Sequence, residues 1–376
     1  MTPALSHPKK HFWLAWLILL LGVVACGFAA VLRPAAFFVA YLEAYLLVLG
    51  TALGSMLILL IHQLTGGQWG FRIQRLMNAS LATLPWLLLF HVPLFFGMNT
   101  LYVWSRPDAH DLIPVLSRKD WYLNSTFFYL RTAFFWAVWL VTSFVLRREI
   151  NHQIQQGSRE TNRCLGSWAL IVSVLTMSFA AVDWIMSLEP HFYSSIYGLV
   201  ILVGFMISAF AWAIIVEIGF PEFFRSDKPS EAGDTLAHDL GNFLLMSVML
   251  WAYGSFSQLL LVWSGQLPDE ILFYHRRFHP PWQALGWALL TFGFTLPFVF
   301  LLWRNNKKQR LTLCIIAIIA LLGHWMDLIW NVQPFFDEPW LSWTTLSLLA
   351  SLTLGGIWAQ LFKHSLQKVP HGSKAL

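Results

Sequence analysis

The sequence predicts an all-α, polytopic membrane protein of about ten transmembrane helices, arranged as two four-helix bundles plus two flanking helices. Three observations predict it. Of 376 residues, 57% are apolar and only 11% charged, with a mean hydropathy of +0.60, whereas a soluble domain carries about a quarter charged residues. Ten apolar stretches each reach the roughly 20 residues needed to cross a hydrocarbon core about 30 Å thick. None of them alternates with period 2, as membrane strands do. A soluble enzyme is excluded, because so few charges cannot cover a water-facing globule of this length. Disorder is excluded as well, since 21 Trp, 31 Phe and 9 Tyr offer far more burial than unfolded chains carry.

The expected spans lie near 12–32, 36–62, 81–104, 125–146, 164–187, 193–217, 236–264, 281–303, 311–332 and 342–362. The first follows Lys9 and Lys10, and Val23-Val24-Ala25-Cys26 resembles a lipoprotein cleavage box. Its 21-residue run exceeds the usual signal-peptide core, so an uncleaved helix is expected. The second carries Glu43 on one face with Gly50 and Gly54, a small-residue stripe suited to close helix packing. The many Trp residues near span ends read as interfacial anchors. Cys26, Cys164 and Cys314 stand far apart with no C-x-x-C, which argues against cysteine-ligated clusters and disulfide frameworks.

Basic residues give the orientation. The N-terminus, the even-numbered connections and the C-terminus hold 17 of the 24 Lys and Arg, including Arg72, Arg147, Arg148, Arg159, Arg225, Lys228, Lys307 and Lys374. The other side holds Arg33, Arg106, Arg118, Lys119, Arg131, Arg276 and Arg277. This asymmetry places both termini in the cytoplasm. Acids decide little, with Asp108, Asp111, Asp120, Glu189, Asp269, Glu270, Asp337 and Glu338 on the outer side. The net charge of +5 is thereby a topology signal, and no nucleic-acid motif accompanies it.

An internal repeat organises the spans. Asp183-Trp-Ile-Met-Ser-Leu-Glu189-Pro190-His-Phe192 overlies Asp327-Leu-Ile-Trp-Asn-Val-Gln333-Pro334-Phe-Phe336 at a constant offset of 144. Val103-Trp104-Ser105 echoes Val262-Trp263-Ser264 more weakly, with Asn99 against Gln258. The expected units are a first helix at 1–35, one bundle at 36–192, a second at 193–336, and a last helix with a cytoplasmic tail at 337–376. An even number of spans per unit keeps both halves in the same topology, unlike the inverted repeats of many transporters.

Ionisable residues inside the bilayer cost at least about 2.5–3.5 kcal/mol at a helix centre, so each is a functional candidate. Glu43, Arg131, Asp183, His324 and Asp327 form an outer layer. His62, Glu217, His238 and Asp239 form an inner one, and His91 sits between. His324, Asp327 and Asn331 share one helix face, whereas the repeat-equivalent of His324 is Ala180. Asp183 with Arg131 reads either as a structural ion pair or as part of a path. His324 with Asp327 reads as a proton-handling or ligand-binding pair. Glu217, His238 and Asp239 read as solvated helix ends or as the cytoplasmic entrance of a proton path, with a mid-membrane gap above them.

Three outer segments carry a resemblance: Tyr122-Leu123-Asn124 with Phe127, Phe128 and Arg131; Ser187-Leu188-Glu189-Pro190-His191-Phe192-Tyr193-Ser194; and Phe278-His279-Pro280-Pro281-Trp282. They resemble the F subunit of bacterial alternative complex III, which is similar to polysulfide-reductase-type membrane anchors. The resemblance covers nearly the whole chain, with Ser-Leu-Glu-Pro-His its most specific part. The chain is somewhat short for that family, mainly in loops and tails. The resemblance implies a subunit of a quinol:electron-acceptor oxidoreductase in the bacterial inner membrane, supporting proton translocation or the quinol-oxidising assembly. It implies haem and iron–sulfur clusters in partner subunits (a multihaem cytochrome and an iron–sulfur subunit), a sister membrane anchor, and no redox cofactor in this chain, although a quinol contact is possible. Two other classes stay open. A membrane b-type cytochrome needs facing His pairs, such as His91 with His324 or His62 with His238, and an absorbance spectrum discriminates it. A secondary transporter would be revealed by substrate counterflow.

Overall fold

A computed structural model describes residues 9–109, 113–156, 160–219, 232–266, 268–336 and 340–370. Arg159, Arg225, Lys228 and Lys374 of the orientation argument, with Asp111, Asp337 and Glu338, lie outside the described residues. The described chain is all α, without a strand. Its principal helices are α1 (Lys9–Leu32), α2 (Pro34–Thr65), α3 (Gln68–Leu81), α4 (Leu84–Phe96), α5 (Ser125–Gln156), α6 (Arg163–Trp184), α7 (Tyr197–Gly219), α8 (Ala232–Gly265), α9 (Pro268–Arg277), α10 (Trp282–Leu302), the short α11 (Arg304–Lys308), α12 (Arg310–Val332) and α13 (Trp340–Lys368).

Among the described residues, eight helices are long and apolar enough to cross a membrane, and nine if α3 and α4 form one span. This count differs slightly from the ten expected. The first helix, α1, of which Trp16–Leu32 is an apolar segment, is not among those eight. The third expected span, 81–104, is also different: α3 begins earlier, and α3 and α4 meet at a bend of 41°. Pro85, in the first turn of α4, has no N–H to give the preceding turn, so the helix breaks at Ala82-Thr83. Thr83 repairs part of the loss, its hydroxyl donating to the Ser80 carbonyl at 2.6 Å while accepting from the Trp358 indole at 2.9 Å. Beyond Gly97 the span continues only as short turns at Met98–Leu101 and Val103–Ser105.

The centre of the fold is the pair α2 and α7. In the most apolar window of α2, 89% of residues are buried within the protein, and 78% in α7, against 22% in α10. A helix that is apolar on every face is one surrounded by others. α2 packs against α3, α6, α7 and α13; α7 packs against α6, α8 and α12; α10 lies against α12. The Gly50 and Gly54 stripe is where α7 comes closest. The Phe205 ring fills the notch at Gly50, and a Cβ on Gly54 would overlap the Phe205 carbonyl. Gly293 of α10 and Gly323 of α12 meet backbone to backbone in the same way.

Replacing Gly54 with Val should separate α2 from α7 and cost about 1–3 kcal/mol, the usual range for overpacking. Gly27→Val, at a position where a side chain meets nothing within 4 Å, should leave the thermal unfolding midpoint in detergent close to the unsubstituted value.

Candidate functional site

The two repeat-related aspartates sit in opposite chemical settings. Asp183, fully buried on α6, is clamped by Arg131 of α5, whose Nε donates to Oδ2 at 2.7 Å and whose Nη2 donates to Oδ1 at 3.1 Å. The Tyr122 hydroxyl donates to the same Oδ1 at 2.8 Å. Arg131 is held in turn by the Tyr122 carbonyl at 2.9 Å, and its guanidinium lies over the rings of Tyr122 and Phe127, at 3.9 and 4.4 Å. Burial, then the neighbouring Asp183 charge, pushes the Tyr122 phenol well up, so it stays a donor. A bidentate Arg–carboxylate pair of this kind is the strong form of ion pair. The arrangement is closed.

Asp327, on α12, has no Lys or Arg within ion-pair distance among the described residues. Neutral groups hold it instead: the Trp251 indole donates to Oδ2 at 3.2 Å, and the Asn331 amide to Oδ1 at 3.1 Å. Tyr197 donates to the Asn331 Oδ1 at 3.0 Å. His324 comes within 3.9 Å of Oδ2, too far for a hydrogen bond. Its imidazole fills a notch at Gly204 of α7, with both ring nitrogens unpartnered among the described residues.

A second buried cation lies nearby without pairing to a carboxylate among the described residues. Arg277, at the end of α9, is fully buried and donates to the carbonyls of Phe273 at 2.6 Å, Trp330 at 2.9 Å and Asn331 at 3.4 Å. It caps the carbonyl end of α12, where positive charge is favoured. The Phe273 ring lies 3.5 Å from its guanidinium. Burial pushes the Arg277 guanidinium down to about 9, which leaves it charged at neutral pH.

Asp327 also borders a cavity of about 570 Å³. Its walls come from α7, α8, α9, α10 and α12, and are aromatic and aliphatic except for the polar groups of Asp327, Asn331, Gln258, Ser255, Tyr197, Tyr253 and Tyr274 and the Trp indoles. In α10 the residues Leu289–Thr295 form a π-helical turn. Such turns re-aim side chains and recur at functional sites; here Leu289, Leu290 and Phe294 face the cavity.

The remaining candidates are not gathered at this place. Glu43, fully buried on α2, accepts from Gln333 Nε2 at 3.2 Å, and that amide also reaches Ser347 at 2.9 Å. Glu217 shares a small cleft with Arg310 at the C-terminal end of α7. His238 and Asp239 lie 3.9 Å apart and are partly exposed, with 45% of the Asp239 side chain accessible. From Gly204, against His324, to Glu217 is roughly 20 Å along α7 at about 1.5 Å per residue, and Ser208 in that interval turns its hydroxyl back to the Phe205 carbonyl. The expected proton path is thus split into separate clusters. Of the histidines, His91 bonds the Tyr45 hydroxyl at 3.1 Å and packs on Trp184, while His62 bonds the Gly67 carbonyl at 3.0 Å.

The repeat has a local counterpart at each aspartate. Ser187 donates to the Asp183 carbonyl, and Asn331 at the equivalent place donates to the Asp327 carbonyl at 2.8 Å. Sequence reasoning missed Tyr122 as a ligand of Asp183, Trp251 as a ligand of Asp327, and the burial of Arg277. The only signal for the last was its aromatic setting, with Phe273, Tyr274 and Phe278 nearby. Compared with models of known protein families and with curated proteins, the chain matches none.

Arg131→Ala should destabilise the protein by about 3–5 kcal/mol, because it strands a buried carboxylate. Arg131→Ala combined with Asp183→Leu should recover most of that loss in detergent unfolding experiments.

Proposed function

We propose that this chain is a membrane-embedded subunit of a quinol:electron-acceptor oxidoreductase of the alternative complex III type, in the bacterial inner membrane with both termini cytoplasmic, and that Asp327 is its outer-side proton-exchanging group. The outer segments around Tyr122, Ser187–Ser194 and Phe278–Trp282 support the family reading by resemblance. One observation carries the assignment of Asp327. Two aspartates stand at equivalent helix ends; Asp183 is neutralised by Arg131, while Asp327 has only neutral hydrogen-bond partners and borders a cavity.

An isolated charge in an apolar setting is costly. Asp327 therefore changes its charge only together with a proton that arrives or leaves on the cavity side. Trp251 and Asn331 fix the carboxyl group without fixing its charge, since each donates one neutral hydrogen bond. His324, 3.9 Å away, is the nearest group able to exchange that proton after a small rotation. Electrons travel in this account through haem and iron–sulfur clusters of partner subunits, with a sister membrane anchor beside this chain. This chain supplies no redox group of its own.

Purification in mild detergent should bring haem-bearing partners with the chain; a stable, colourless monomer would count against the family reading. In vesicles containing the assembled complex, Asp327→Asn should lower proton release per electron while quinol oxidation persists. An unchanged ratio in both that variant and His324→Ala would leave these residues a structural role only.

A further inference from the structure

Two exposed histidines meet at the C-terminal end of α9. His275 lies in its last turn, and His279 follows four residues later, in the connection to α10. Their ring centroids are 4.7 Å apart, with the ring planes at 68°. The Nε2 atoms are closer than the rings, at 3.4 Å, so the two nitrogen edges turn toward each other. That separation is long for a hydrogen bond, since N–H donors ordinarily stand about 2.7–3.2 Å from an acceptor. It is the spacing that one metal ion imposes: with metal–nitrogen bonds of about 2.0–2.1 Å and tetrahedral angles, two imidazole nitrogens lie about 3.4 Å apart.

The backbone holds the pair from both sides. Arg277, between the two in sequence, is fully buried and bonded to the Phe273 and Trp330 carbonyls, which pins the end of α9. The Phe278 amide donates to the Tyr274 carbonyl at 3.0 Å, carrying the helical ladder one residue further, and the His279 carbonyl accepts from the Gln283 amide of α10 at 3.1 Å. Ligands already in position lose little freedom on binding. The donor set then selects the ion. Imidazole nitrogens suit zinc, copper and nickel, whereas magnesium and calcium take oxygen ligands. Among the described residues no third His, Cys, Asp or Glu completes a metal-binding group, so the remaining coordination positions belong to water or an incoming ligand, as in an open site rather than a closed structural one. Arg276, the nearest cation in sequence, is bridged to Glu189 at 3.3 Å, which weakens its repulsion of an ion.

We propose that His275 and His279 form a chelating site for one divalent transition-metal ion of the zinc and copper class, bound through both Nε2 atoms and clasping the end of α9 to the start of α10. The inference stands on these two side chains and their backbone supports. It is independent of the reading of Asp327 and of the family reading.

The full chain, free of any affinity tag and held in phosphatidylcholine nanodiscs, is titrated with Cu²⁺ and followed by electron paramagnetic resonance. Its tightest site should saturate with nitrogen splitting from two imidazoles. Either His275→Ala or His279→Ala should weaken that site about a hundredfold, the lower end of what linking two binding groups gains, and leave at most one nitrogen in its spectrum. Both side chains are exposed, so the metal-free variants should melt with the unsubstituted chain. Zn²⁺ should raise the melting temperature of the unsubstituted chain, because a ligand of the folded state alone stabilises it, and should raise neither variant's. Absence of a saturable copper site overturns the proposal. So does a tightest site whose affinity and nitrogen splitting survive in either variant, for the ion would then be held by one of these histidines alone or elsewhere in the chain.

Discussion

A carboxylate carried into hydrocarbon must be neutralised, and the structure is organised by the two different ways in which this chain meets that requirement. At Asp183 the solution is a guanidinium gripped by both carboxylate oxygens and sandwiched against Tyr122 and Phe127. Everything near it is fixed by that pair: the α5–α6 contact, the loop that delivers Tyr122, and the helix end at Trp184, whose carbonyl accepts from Tyr102. Near Asp327 the buried cation Arg277 is bonded instead to the carbonyls at the end of α12. The carboxyl group is left with neutral donors and a cavity. One half of the molecule has a locked polar centre and the other an adaptable one.

The two halves are tied across the middle by exchanged contacts. Glu189, after α6, reaches Arg276 of α9 at 3.3 Å, and Phe192 stacks on Phe273 at 4.0 Å. Gln333, the residue in register with Glu189, reaches Glu43 of α2 in the opposite direction. These contacts lie at the same end of α2 and α7, the pair brought close by Gly50 and Gly54. The cavity is therefore bounded on its inner side by tightly packed helices, while its α8 and α10 side faces outward. Close packing and outward exposure thus fall on different walls.

Much of this was legible in the sequence. Composition and run length identify an all-α membrane fold, because burying backbone polar groups in hydrocarbon leaves few alternatives to a helix. The Asp183 and Arg131 pairing was a stated possibility, since both lie at similar depth on consecutive spans. The helical stripe of His324, Asp327 and Asn331 follows from spacing alone. What was not legible depends on geometry between distant segments. The bend at Thr83 has a local cause in Pro85, yet the hydrogen bond that meets it comes from Trp358, 275 residues away. Arg277 lies more than 50 residues from the carbonyls it caps, and no periodicity marks it. Beside the cavity, α10 carries a π-helical turn and meets α12 at Gly293 and Gly323, and neither feature is written in hydropathy.

The claim that the two aspartates are held by different chemistry is open to a direct measurement of coupling. Double-mutant cycles on Arg131 with Asp183, and on Arg277 with Asp327, read by reversible unfolding in detergent, report whether each Arg and Asp act as a pair. Groups in direct contact couple by about 0.5–3 kcal/mol, and groups without shared contact add to within about 0.5 kcal/mol. The account predicts coupling at the upper end for Arg131 with Asp183, and for Arg277 with Asp327 only the small coupling of an indirect contact through Asn331. Equal, strong coupling in both cycles would contradict it, for Asp327 would then be a second locked ion pair.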